Sequence, residues 1–149
     1  MFNKKVRTQI LGGCLEDFKA YLAGTYKGYY ITLENQAGRY LIKINATSPD
    51  DNGNTSLGSC LSQQARLHKQ LVQTQTYDHC AVLTIQGPNL AKNIPPVINE
   101  IVDPVISYLV MNGYVSGCEH CGNTQERPDC YEINGGCHYL CRSCTEEIQ

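Results

Sequence analysis

Six of the nine cysteines and two of the four histidines fall within one 27-residue stretch, Cys118 to Cys144. It reads CEHCGNTQERPDCYEINGGCHYLCRSC and holds two Cys-x-x-Cys pairs, Cys118/Cys121 and Cys141/Cys144, separated by 19 residues. The chemistry open to this pattern is metal ligation by thiolate. A two-residue spacer lets one tight turn present two sulfurs to one ion, and Zn²⁺ takes four such ligands tetrahedrally. Gly122, directly after the first pair, supplies a residue free to adopt positive φ in that turn. The expected centre is one structural Zn²⁺ on Cys118, Cys121, Cys141 and Cys144. A thioredoxin-type redox pair should follow a strand in a βαβ context, and neither pair does so.

The segment between the pairs agrees with this reading. Cys130-Tyr131-Glu132-Ile133 and Cys137-His138-Tyr139-Leu140 are β-compatible runs flanking Asn134-Gly135-Gly136, a hairpin-turn signal. Ser143 and Glu146 fit a capping box, which would put the second pair at a helix N-terminus, where the macrodipole favours thiolates. Knuckle, hairpin and knuckle at a helix start is an order that resembles the treble-clef and zinc-ribbon families, over the last quarter of the chain. Those families host many functions, so the resemblance implies a metal rather than an activity. The first knuckle, Cys-x-x-Cys-Gly, also looks like that of rubredoxin, and four thiolates suit iron. The second pair lacks the matching glycine, so zinc is preferred. The chain as a whole resembles uncharacterised bacterial proteins that carry a cytosolic cysteine-knuckle domain ahead of a membrane region. The sequence stops at Gln149, five residues past Cys144 and just as a capped helix begins. The expectation is that the natural protein continues.

Other reactive side chains receive a plainer reading. Cys130, Cys137, His138 and His120 are read as surplus small residues and exposed histidines, with a second metal on them as the alternative. A Cys130–Cys137 disulfide is disfavoured, because the hairpin turn sets Cys130 opposite position 140 or 141. Cys14, Cys60 and Cys80 lie on or near apolar faces and read as small core residues; His68 and His79 read as structural. No nucleophile and base stand at a recognisable spacing, and no phosphate-binding glycine loop occurs. The expectation is a protein without catalytic activity.

These residues need elements to hold them. Residues 14–23 read as a short amphipathic helix ended by Gly24, after a possible short strand at 5–11. Residues 29–34 and 39–46 read as a hairpin. The apolar positions of 57–72 follow a helical period, 80–86 reads as a strand, and 94–110 reads as a long helix interrupted at Pro104. The class is therefore α+β, in the order α-β-β-α-β-α, with helices on one face and the zinc module after it. Residues 1–115 form the expected α+β domain and 116–149 the four-cysteine zinc module, packed on the preceding helix across a short connection.

Composition narrows the function. A hydrophobic content of 42% can build a core, and the formal net charge of −2 offers no basic field for nucleic acid or acidic lipid. Within 116–149, Arg127 and Arg142 are set against Glu119, Glu126, Asp129, Glu132, Glu146 and Glu147, which argues against a nucleic-acid-binding ribbon. Tyr29, Tyr30 and Tyr40 lack the interleaved basic residues of an RNA-stacking sheet. No run approaches a membrane span, the N-terminus has no signal-peptide core, and clustered cysteines suit a reducing compartment. The expected location is cytoplasmic. The expected function is a zinc-binding module for protein–protein contact or regulation. The alternatives are nucleic-acid binding and a thiol-based activity beside the metal.

Overall fold

The computed structural model describes residues 4–5, 21–36, 39–49, 53–86, 98–133 and 136–148. Its strands are β1 (Lys4–Lys5), β2 (Tyr21–Tyr26), β3 (Tyr29–Gln36), β4 (Arg39–Asn45), β5 (Leu71–Thr76), β6 (Cys80–Gln86), β7 (Asp129–Ile133) and β8 (Gly136–Leu140). The helices are α1 (Gly53–Leu67), α2 (Asp103–Met111), led in by a π-helical turn at Ile98–Val102, and α3 (Arg142–Ile148). Helices and antiparallel sheets are mixed, so the chain is α+β.

The larger sheet is antiparallel, in the order β2-β3-β4-β6-β5. Alternation along its strands sorts side chains onto two faces. Ile31, Leu33, Ile42, Ile44, Ala81, Leu83 and Ile85 lie in register on one face and are all buried. Leu57 and Leu61 of α1 and Val105, Ile106 and Leu109 of α2 close over them as one core. Both helices therefore lie on one face. α1 carries the chain from β4 to the far edge, and β6 then returns between β4 and β5.

Several sequence expectations change here. Residues 21–23, expected to end a helix, begin strand β2; the rest of 14–23 and Cys14 lie outside the described residues, as do 6–11. The helix expected over 57–72 stops at Leu67, and Leu71–Thr76 forms an edge strand that the helical period had masked. The order is thus richer in strands than α-β-β-α-β-α. At Pro104 the break takes a definite form. The π-turn ends at Val102, and Pro104 sits in the first turn of α2, the part of a helix that tolerates a missing N–H. Asn112 caps the other end through Nδ2 to the Tyr108 carbonyl (2.8 Å), and Gly113 follows at φ 74°.

The second sheet, β1-β7-β8, draws on both ends of the chain, since Lys4 pairs with Glu132 and Lys5 with Tyr131. Residues on both sides of the expected 115/116 boundary therefore contribute to it. Contacts of the cysteine-bearing segment run to the helix-free face of the larger sheet. The Tyr30 ring packs on Tyr139 with centroids 4.7 Å apart, and Asn45 Nδ2 donates to the Gly117 carbonyl at 3.2 Å. Thr47 and Val115 exchange backbone hydrogen bonds of 2.7 and 3.1 Å beside this contact.

The core face sets the stability of the larger sheet. Ile42→Ala, at a position 2% exposed and flanked by Leu33 and Leu83, should cost about 2–5 kcal/mol. Val72→Ala on the exposed edge should cost no more than about 0.5 kcal/mol. Denaturant midpoints of the two variants check the difference.

Candidate metal centre

The first knuckle is a turn whose backbone closes on itself. Gly122 N–H donates to the Cys118 carbonyl at 2.9 Å, and Cys118 N–H donates to the Asn123 carbonyl at 3.1 Å. Gly122 takes φ 77°, and a Cβ there would stand 2.5 Å from Cε1 of His79. Backbone conformation and the ring beneath it both demand glycine. His79 is held in place by Thr47, with Oγ1 and Nδ1 3.1 Å apart, so this histidine buttresses the knuckle.

The second pair straddles the start of α3. The helix begins at Arg142, two residues earlier than the capping box implies, so Cys141 takes the cap position and Ser143 lies inside the first turn. The Cys141 carbonyl accepts from Thr145 N–H (3.0 Å) and Thr145 Oγ1 (2.9 Å). Glu126, from the loop after the first knuckle, accepts from Arg142 N–H at 3.1 Å and takes up one of the open helix donors.

The hairpin β7–β8 brings the two pairs together. Sγ atoms of Cys118, Cys121, Cys141 and Cys144 all lie within 4.8 Å of one another, with Cys121 and Cys141 at 3.6 Å. Zn–S bonds of about 2.3 Å at tetrahedral angles require sulfurs about 3.8 Å apart, so the set fits a four-thiolate ion. Cys118, Cys141 and Cys144 are buried, and Cys121 is exposed. Burial pushes the Cys118 thiol up, but N–H groups of Cys141, Cys121 and His120, with the Cys144 thiol, outweigh it and bring it below its ordinary value. Burial, joined by the neighbouring thiols, pushes Cys141 and Cys144 up. The cluster thus favours an anion at Cys118 and resists further ones. A cation at its centre removes that resistance.

Among the described residues, no other sequence candidate joins this group. Cys130 is fully buried in β7; Cys137 lies in β8, and its side chain is outside the described residues. His120 is exposed. Cys80 is buried, and burial, then the charge of Glu119, push its thiol up to about 11 against the opposing pull of Lys43. Such a thiol is a poor nucleophile. Cys60 is half-buried on α1, with its thiol also raised by burial.

His138 takes a role that its spacing did not suggest. Its Nδ1 lies 3.0 Å from Glu119 Oε2. Lys43 Nζ reaches both oxygens of the same carboxylate, at 2.9 and 3.0 Å, and Tyr139 N–H donates to Oε1 at 2.9 Å. Glu119 N–H meanwhile donates to the Tyr139 carbonyl at 2.9 Å. One carboxylate in the spacer of the first pair therefore ties knuckle, hairpin and larger sheet together. Glu119 and Lys43 are each 12% exposed. Burial raises the Glu119 carboxyl, but the His138 hydrogen bond and the Lys43 charge outweigh it and hold the carboxyl below its ordinary value of 4.5. No local signal marks this pair, whose members lie 76 residues apart. The alternation that buries Ile42 and Ile44 does put Lys43 on the opposite face.

A depressed carboxyl pKa stabilises the fold at pH above the ordinary value, and that contribution is lost as pH falls through the lower, folded value. Glu119→Gln should therefore cost on the order of 3 kcal/mol at neutral pH and flatten the acid limb below pH 4.5. Urea titrations from pH 3 to 7 on Glu119→Gln, Lys43→Met and the double variant check this; the double variant should lose less than the two singles added together. Gly122→Ala should lower the melting temperature, and His79→Ala in the same chain should recover only the part due to overlap with the ring.

No family model, curated protein or solved structure matches this chain.

Proposed function

We propose that Cys118, Cys121, Cys141 and Cys144 hold one Zn²⁺, and that the protein is a non-catalytic module for protein–protein contact or regulation, of treble-clef-like or zinc-ribbon-like build. The observation that carries this reading is the convergence of four sulfurs within 4.8 Å, with no other type of ligand atom among the described residues. Four protein thiolates fill a tetrahedral zinc shell and leave no position for water or substrate, which is the pattern of structural rather than catalytic zinc. The metal's task is then mechanical. It joins a knuckle, a hairpin and a seven-residue helix, elements too small to be stable alone. Tyr131 and Leu140 supply little apolar packing around the cysteines. Among the described residues no helix is long and apolar enough to cross a membrane. Acidic residues outnumber basic ones around the knuckles, and this favours a protein partner over a polyphosphate backbone.

The purified chain should contain one zinc, with an X-ray absorption shell of four sulfurs at about 2.3 Å. A mixed sulfur/nitrogen shell, two zincs per chain or an iron spectrum would overturn the assignment. Chelation, or Cys121→Ser or Cys141→Ser, should abolish hydrogen-exchange protection across 118–144. Amides that lean on the module, Tyr30 through Ser116 and Thr47 through Val115, should lose protection with it. Protection in α1 and α2, which pack on the other face, should persist; its collapse would mean that the core also depends on the metal.

A further inference from the structure

The larger sheet ends at β5, and among the described residues no strand pairs with its outer edge. Edge backbone groups are a template for another chain, and proteins blunt them with charge, proline or bulges. Strand β5, LVQTQT, carries neither charge nor proline. Its irregularity lies between Leu71 and Gln73, leaving Gln73–Thr76 in regular register with β6. Beside this edge runs a cleft of about 620 Å³, lined by Ser59, Ser62, Gln63 and Arg66 of α1 and by Thr74 and Thr76 of β5. Thr74 and Thr76 pair with Leu83 and Ala81 and so share the helix-covered face. A strand added along β5 would set every second side chain against the outer flank of α1.

The chemistry of the cleft selects its occupant. Hydroxyls, amides and one guanidinium suit an extended backbone with polar side chains and offer no apolar groove for an amphipathic helix. From Gly53 to Tyr77 the sequence contains Arg66 and Lys69 and no Asp or Glu, in a chain of net charge −2. Arg66 is exposed and forms no ion pair among the described residues. A carboxylate is the matching group, through a two-pronged charge-assisted contact. A second copy of this chain fits less well, because edge-to-edge pairing of two β5 strands would bring two basic α1 flanks together on one face.

We propose that the cleft between α1 and β5 binds an extended acidic segment of a partner protein as a sixth strand, with one carboxylate on Arg66. The site is separate from the cysteine cluster, so its failure would leave the metal reading untouched, and elemental analysis of the same preparation reports on that independently.

The test pans the full-length chain against phage-displayed random octapeptides. The enriched peptide is then synthesised and titrated into the ¹⁵N-labelled protein. Enriched sequences should alternate Asp or Glu with β-branched residues, and shifts should concentrate in Ser59–Arg66 and Gln73–Thr76. Arg66→Glu and the cleft-filling Ser62→Trp, both on the exposed side of α1, should each weaken binding at least tenfold. The lysine-for-acid version of the peptide should bind Arg66→Glu better than it binds the unaltered chain. No enrichment, shifts outside the cleft, or binding indifferent to both substitutions would each sink the proposal. So would a concentration-dependent dimer in sedimentation that Ser62→Trp abolishes, since it would make a second copy the occupant.

Discussion

A carboxylate buried between two sheets must have its lone pairs answered, and Glu119 meets that demand with three groups from two strands, β4 and β8. The Lys43 ammonium, the His138 ring and the Tyr139 N–H converge on its two oxygens. Any tilt of the cysteine-bearing module against the larger sheet would strip at least one of these partners from a charge with little access to water. The penalty for that is several kcal/mol, more than a surface contact of the same area would impose. The small sheet is therefore fixed in orientation by electrostatics, with the Tyr30 and Tyr139 rings packed at a tilt across the same contact.

This arrangement makes the two faces of the larger sheet different in kind. One is apolar and covered by α1 and α2, stabilised by area removed from water. The other holds Lys43 and Asn45 and is covered by the knuckle, stabilised by paired polar groups. The four cysteines and the carboxylate act toward one end, Glu119 being adjacent in sequence to Cys118. The cysteines close the module on itself, and Glu119, lying between Cys118 and Cys121, carries that rigidity across to the sheet. A loosened knuckle would misplace Glu119, so closure of the cysteine cluster and sheet packing are physically coupled even though they use different side chains.

Local chemistry in the chain was enough to mark the four cysteines that converge. Two Cys-x-x-Cys pairs, Gly122 after the first and a hairpin between them are short-range features, each set by a turn of a few residues. The hairpin of β3 and β4 was equally legible, because alternation at 40, 42 and 44 admits only one face. The Asn112-Gly113 stop and the break at Pro104 follow from backbone restrictions that hold in any surroundings. Strand β5 was not legible. Its leucine extends the helical period of α1 by coincidence, and no glycine or proline marks the end at Leu67. The start of β2 was missed for a similar reason, since Leu22 continued the spacing of Leu15 and Phe18.

The sequence by itself determined which residues are able to hold a metal and which face of each strand is apolar, because both depend on spacing along a few residues. Tertiary structure alone decided where those elements meet. The return of β6 between β4 and β5, the pairing of Lys4 with Glu132 and the placing of Glu119 on Lys43 join residues far apart in the chain. Such contacts are selected by the summed burial of whole faces and by the cost of an unanswered charge, and neither quantity exists until the elements have assembled.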